Sequence, residues 1–362
     1  MNDILADKDL EKVYKSIVTH IHQARVNVLK SINHEQVTAY WNIGRNIVEQ
    51  EQHGENRANY GKALLEKLSN RLGAEFGRGF GVTNLKYMRQ FYLTYPNRIG
   101  HKACDEFGYM PFNPNLSWSH YRLLMRETRP NVRGFYEIEA SKSHWSVPQL
   151  QRQMSSFLFD RLTASKNEEA VIKLANKGHI VTSAEDSLKD PVVLEFLGYK
   201  EHHVYTENDL ETAIINHLQE FLLEMGKGFA FIGRQKRITI EGDHFYPDLI
   251  FYHTILKCYA IIDLKIDHLT HGDVGQMQMY VNYYDREVKQ ENDNPTIGLL
   301  LCAEKNDAVV KYTLPENNKQ IFSRKYQLHL PTIEQLREEV KREYKEATLL
   351  LNREIEEKDK QG

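Results

Sequence analysis

Cysteines, long apolar runs and a dominant charge sign are what this sequence lacks. Three cysteines, Cys104, Cys258 and Cys302, are scattered through 362 residues. An odd, widely spaced set excludes a disulfide framework and fits no zinc-ligand spacing, so a reducing, cytoplasmic setting is expected. No apolar run nears the roughly 20 residues that a membrane-spanning helix needs. The longest are short, such as 297–303, and no membrane partner is expected. The opening MNDILADKDLEK lacks the basic start and apolar core of a secretory leader, so none is expected. A formal net charge of −3 excludes a protein coated in positive charge and leaves a local basic face as the way to hold phosphates. The His202-His203 and His20-x-His22 pairs have no further ligands at metal spacing and read as surface histidines. Gly77, Gly79 and Gly81 follow no strand, so they are not a dinucleotide loop.

What is present is an ordinary core-forming mixture, 41% hydrophobic and 27% charged, long enough for two domains. Residues 1–165 read as helix after helix, an all-α domain. Leu10, Val13, Ile17, Ile21, Ala24, Val28 and Ile32 step by three and four along one long amphipathic helix. Tyr60, Leu64, Leu68 and Leu72 begin another stripe. After the glycines a further helix, with Thr83 as a suitable cap, must stop near Tyr95 because Pro96 follows. Residues 166–200 read as a linker region with one or two short helices. From 201 to 332 the pattern becomes mixed: a helix over 210–225, the strand-like FAFIGRQKRITI, FYPDLIFYH and KCYAIIDLK, a helix over 274–286, and the strand IGLLLCA. The tail 333–362 reads as a charged helix, solvated or pairing two copies of the chain.

The chemistry concentrates on Pro247-Asp248 and Asp263-Leu264-Lys265. Side chains alternate along a strand, so Asp263 and Lys265 share a face. If the two runs pair as a hairpin turning at 254–257, opposed positions have numbers totalling about 511, which sets Asp248 beside Asp263. Two carboxylates about 4 Å apart repel by roughly 4 kcal/mol at an effective dielectric near 20. Such a pair amid apolar strands wants a cation, and hard oxygen ligands suit Mg²⁺ or Mn²⁺. Asp248 and Asp263 are the expected metal ligands, with Lys265 placed to orient a water or stabilise a phosphorane-like transition state. Glu211, near the start of the preceding helix, and Gln276, in the helix after Lys265, complete the expected catalytic set, with Gln278 competing for the second place.

In the N-terminal half, Arg71, Arg78, Lys86, Arg89 and Arg98 stand against Glu75 alone over residues 71–100. The helix, turn and helix over 61–95 resemble a helix-turn-helix. With Leu85, Met88 and Phe91 turned inward, Arg78, Asn84, Lys86, Arg89 and Gln90 are the expected DNA-contacting side chains, set against a plain helical bundle with a solvated basic face.

The motifs NYGKALLEKLSNRL, GRGFGVTNLKYMRQFY and LSWSHYRLLMRE in the first half, and FYPDLIFYH, IIDLK, GQMQMYVNYYD and NPTIGLLLCAEKN in the second, resemble the YhcG-type family of the PD-(D/E)XK nuclease superfamily over nearly the whole chain. The resemblance implies a multidomain protein in which the helical domain precedes an α/β restriction-endonuclease-like domain with a mixed sheet flanked by helices. It also implies Mg²⁺-dependent DNA cleavage by Asp248, Asp263 and Lys265, and partners in restriction or genome maintenance. The alternatives are an RNA nuclease and a non-catalytic DNA- or protein-binding module retaining the fold. Ile266-Asp267 stand where relatives often carry Thr-Gly.

Overall fold

The computed structural model describes residues 2–52, 57–96, 111–163, 168–199, 205–304, 307–315 and 317–330. Arg98, Cys104, the His202-His203 pair and the charged tail from Ile333 lie outside the described residues. The chain forms two compact units, residues 1–151 and 152–362. Among the described residues no helix is long and apolar enough to cross a membrane.

The first unit is helical. It contains α1 (Asn2–Gln52), α2 (Arg57–Phe76), a single 3₁₀ turn (Arg78–Phe80), α3 (Val82–Thr94), α4 (Trp118–Leu124), α5 (Pro130–Lys142) and the start of α6 (Val147–Ser155). The second half of α1 buries Val37, Trp41, Ile47 and Val48 against Leu85, Met88 and Phe91 of α3. Gly44 makes that crossing close, because a Cβ there would lie 2.0 Å from the Met88 carbonyl oxygen. Rings of Phe91, Phe112 and Tyr121 pack edge to face or tilted beside it. The cap of α3 is Gly81, not Thr83, which sits inside the first turn. Its C-cap is Tyr95, where the following proline disfavours helix. Ser146 and Gln149 form a reciprocal cap at the start of α6.

The second unit is built on a six-stranded mixed sheet. After α7 (Leu158–Thr163), α8 (Glu168–Lys177) and α9 (Ala184–Ser187) come β1 (Val192–Val193), α10 (Glu207–Asn216), α11 (Leu218–Met225), β2 (Phe229–Arg234) and the separate hairpin β3 (Ile238–Ile240) and β4 (Asp243–Phe245). Then follow β5 (Leu249–His253), β6 (Cys258–His268), α12 (His271–Tyr283), β7 (Ile297–Glu304), α13 (Asp307–Thr313) and β8 (Ile321–Gln327). The sheet order is β1-β8-β7-β6-β5-β2. Strands β6, β7, β8 and β1 run parallel, and β5 and β2 run antiparallel to their neighbours.

Alternation sorts the side chains. Leu249, Phe251, Ile262 and Leu264 pack with Leu210, Ile214 and Phe221 of α10 and α11. Ile250, Ile261 and Leu300 pack with Val274, Met277, Tyr280 and Val281 of α12. Burial on both faces explains why β6 and β7 read as continuous apolar runs. Gly298 lets α12 approach β7, since a Cβ there would lie 2.7 Å from Met277.

Several elements differ from the sequence reading. The helix expected over 210–225 is two, broken at His217, whose φ of −117° leaves the helical region. The segment expected as linker supplies the edge strand β1, two valines too short to show alternation. Helix α12 begins at His271, earlier than expected, because Thr270 and Asp273 form a capping box.

Candidate active site

The β5–β6 pairing fixes the geometry. Leu249 opposes Ile262 and His253 opposes Cys258, so opposed numbers total 511 and Asp248, one residue before β5, meets Asp263. The Asp248 backbone N–H donates to Asp263 Oδ1 at 3.3 Å, and the Leu264 N–H donates to Asp248 Oδ2 at 2.8 Å. Both carboxylates lie on the α12 face of the sheet, at the end where β6 outruns β5. Lys265, two residues on, sets its Nζ 3.6 Å from Asp263 Oδ2.

Two further acids surround that ammonium. Glu207 Oε2 in the first turn of α10 lies 3.5 Å from Lys265 Nζ, and Asp273 Oδ1 at the start of α12 lies 3.8 Å away. The sequence reading missed both. The available signal was that Glu207 and Glu211 are one helical turn apart and so share a face.

Glu211 is 1% exposed. Gln235, whose own backbone N–H donates to the Asp248 carbonyl oxygen at 3.0 Å, donates its side-chain amide to Glu211 Oε2. Glu211 Oε1 has no hydrogen-bond partner, and Arg234 Nε stands 3.4 Å from it. Gln276 donates to the Tyr280 hydroxyl at 2.5 Å, and Tyr280 in turn senses the charge of Asp263 and Asp248. Gln278 instead pairs with Asn282 and lines a separate groove of about 650 Å³ with Thr239 and Arg286. Gln276 thus shares a hydrogen bond with a tyrosine near the acids, and Gln278 does not.

The electrostatics are those of a site short of positive charge. Burial, then the neighbouring Asp263, push the Asp248 carboxyl up to about 7. Burial likewise raises Asp263, against the pull of Lys265. Burial works against the Lys265 ammonium, but Asp263, Glu207, Asp248 and Asp273 together hold its pKa above the ordinary value. Among the described residues, no three His, Cys, Asp or Glu side chains form a ready metal cage. Mg²⁺ does not require one: it commonly binds through one or two carboxylates and keeps waters for the rest. Two raised carboxylates, Asp263 buried and Asp248 half-buried, and a buried Glu211 oxygen with no hydrogen-bond donor fit such an ion.

Ile266 and Asp267 fall where the β6–β7 register shifts, between Lys265 and His268. That irregularity re-aims the end of β6 just past the lysine.

The expected DNA-contacting residues separate into two sets. Arg78, Lys86 and Gln90 are exposed on the first unit. Asn84 differs from expectation: its side chain donates to the Gly79 carbonyl oxygen at 2.7 Å and accepts from Trp118 Nε1 at 3.0 Å. Arg89 is paired with Glu51 at 2.6 Å. Helical periodicity put both on the outer side but could not show partners arriving from other elements.

Residues 185–341 match the YhcG PDDEXK nuclease domain, and residues 16–161 match the DUF1016 N-terminal domain. The "Putative nuclease YhcG" of Escherichia coli (strain K12) is 35% identical over 353 residues, covering 92% of this chain and 94% of that protein. A repair endonuclease from Pyrococcus abyssi shares 18% identity at a TM-score of 0.24, covering 36% of this chain and 50% of its own. At that score the likeness carries no argument. The two family matches and the near full-length relative show that the chain belongs to the YhcG family, with a DUF1016 N-terminal domain followed by a PDDEXK nuclease domain.

Proposed function

We propose that the chain is a Mg²⁺- or Mn²⁺-dependent DNA endonuclease. Asp248 and Asp263 hold the ion, Lys265 faces the scissile phosphate, and the helical unit positions DNA through Arg78, Lys86 and Gln90. The observation that carries this reading is the β5–β6 register, which sets the two acids side by side with the ammonium 3.6 Å away. When bound, the cation supplies Lewis acidity to the phosphodiester.

The chain's own groups do the rest. Lys265 stays charged, so it donates hydrogen bonds to phosphate oxygens as negative charge builds on them. Glu207 and Asp273 hold its amine in place before substrate arrives. Gln235 ties Glu211 to the Asp248 backbone, which fixes the third acid relative to the pair. Gln276, steadied by Tyr280, offers an amide on the same side.

The test is to incubate the purified chain and Asp263→Ala with linear, nicked, branched and single-stranded DNA and with matched RNA, with and without Mg²⁺ or Mn²⁺. We expect metal-dependent DNA cutting that falls by about 10³ or more in the variant, with DNA affinity within a few fold. Undiminished cutting by Asp263→Ala overturns the assignment of the centre. Preferential cutting of RNA makes the chain an RNA nuclease. Binding without cutting by the wild type leaves a binding module.

A further inference from the structure

Helix α1 changes character along its length. One face of its second half is buried, whereas between Leu10 and Ile32 no residue is buried. Yet this stretch is not polar. Leu10, Tyr14, Ile17, Ile21 and Val28 are 66%, 60%, 51%, 47% and 58% exposed. With Ala24 they step by four, three, four, three and four, the alternation of a heptad seam. The stretch is also rich in β-branched residues, poor helix formers on their own, and most helical stability in water comes from packing an apolar face. A helix of this composition standing alone needs another helix of the same pitch.

We infer that this stretch joins two copies of the chain as an antiparallel helical pair. Charge argues for a second copy and for the direction. The first eleven residues carry Asp3, Asp7, Asp9 and Glu11 against Lys8, whereas residues 12–32 carry Lys12, Lys15, Arg25 and Lys30 and no acid. A parallel pair would stack acid on acid and base on base, and an antiparallel pair moves the two acidic ends apart. In the register that also matches the seam, Leu10 faces Val28, Tyr14 faces Ala24 and Ile17 faces Ile21 of the other copy, with Glu11 beside Arg25. The large Tyr14 then meets the small Ala24, and the overlap runs about 27 Å at 1.5 Å per residue. Six side chains from each copy, at roughly 100 Å² apiece, bury about 1,200 Å², the lower edge of a specific interface. The seam is self-complementary under a two-fold axis, as a closed dimer requires.

The test uses the full chain. Light scattering at micromolar concentration should give twice the 42.4 kDa of one chain. Ile17→Glu with Ile21→Glu should return it to a single-chain mass, with the circular dichroism of the nuclease unit unchanged. In a Cys104→Ser background, mixing an Ile17→Cys chain with an Ile21→Cys chain should produce an oxidised cross-link that neither forms by itself. A single-chain mass for the wild type overturns the inference. So does a double mass that survives the two glutamates, which would place the interface elsewhere, or a cross-link from Ile17→Cys alone, which would mean a parallel pair.

Discussion

Replacing Glu224 by glutamine should unfold the nuclease unit at neutral pH more readily than any surface change. Glu224 lies at the end of α11 and is fully buried. Its Oε1 accepts from Arg161 at 2.5 Å and from the Val193 N–H at 3.0 Å, and its Oε2 accepts from Arg152 at 3.0 Å. Lys189 and Glu195 complete the network, which ties α6, α7, β1 and α11 together. Burial alone would raise the Glu224 carboxyl, but Arg161, Lys189 and Arg152 outweigh it and bring it down to about 2. A carboxylate lowered from 4.5 to about 2 contributes about 3 kcal/mol, fully present above pH 4.5 and lost as pH falls through 2. Glu224→Gln forfeits that and leaves Arg161, itself inaccessible, without a counter-charge, a loss of about 3–5 kcal/mol. For a unit of this size that is a drop of roughly 6–20 °C in the melting temperature at pH 7. Thermal melts of both proteins from pH 7 to pH 3 should show the gap narrowing, with less than about half of the ionic contribution remaining at pH 3. A gap within about 2 °C at pH 7, or one that does not narrow with acid, would refute the reasoning.

Other outcomes follow from the same structure. Because burial and Asp263 raise Asp248 to about 7, metal-free wild type should lose stability as pH rises from about 4 to 7; Asp248→Asn should lack that loss and gain roughly 2–4 kcal/mol at pH 8, read by urea denaturation in chelator. Identical pH profiles for the two proteins would contradict it. Gly298→Ala places a Cβ 2.7 Å from Met277 and 2.9 Å from Val281, so it should cost about 1–3 kcal/mol by the same denaturation, and an unchanged midpoint would mean that α12 moves away freely. On the first unit, Arg78→Ala and Lys86→Ala should each weaken DNA binding across sequences and lower the salt slope by about 1. Asn84→Ala should leave that slope unchanged and destabilise the helices by about 1 kcal/mol, since it bridges Gly79 and Trp118.

The pairing of Asp248 with Asp263 was legible because the strands beside them are apolar and the short break between the two runs places the hairpin turn. Once the turn is placed at 254–257, nothing else is needed to bring Asp248 to Asp263. The acids around Lys265 were not legible in the same way. Glu207 and Asp273 arrive from helices whose starts depend on capping by Thr206 and Thr270, and an isolated glutamate in a first turn reads as a solvated one. Strands β1 and β8 escaped notice for a related reason: two valines and the broken run IFSRKYQ become strands only when a parallel neighbour supplies the ladder. On the first unit, helical phase placed Lys86 and Gln90 outward as observed, but it could not register that Trp118 claims Asn84 and Glu51 claims Arg89.

Paramagnetic titration of Mn²⁺ tests the proposed centre most directly. The wild-type chain should bind the ion at a site competed by Mg²⁺, Asp248→Asn and Asp263→Asn should each weaken it about tenfold or more, and Lys265→Met should bind at least as tightly as wild type. Equal Mn²⁺ affinity in wild type and both asparagine variants would mean that the paired acids at the end of β6 are not where the ion sits.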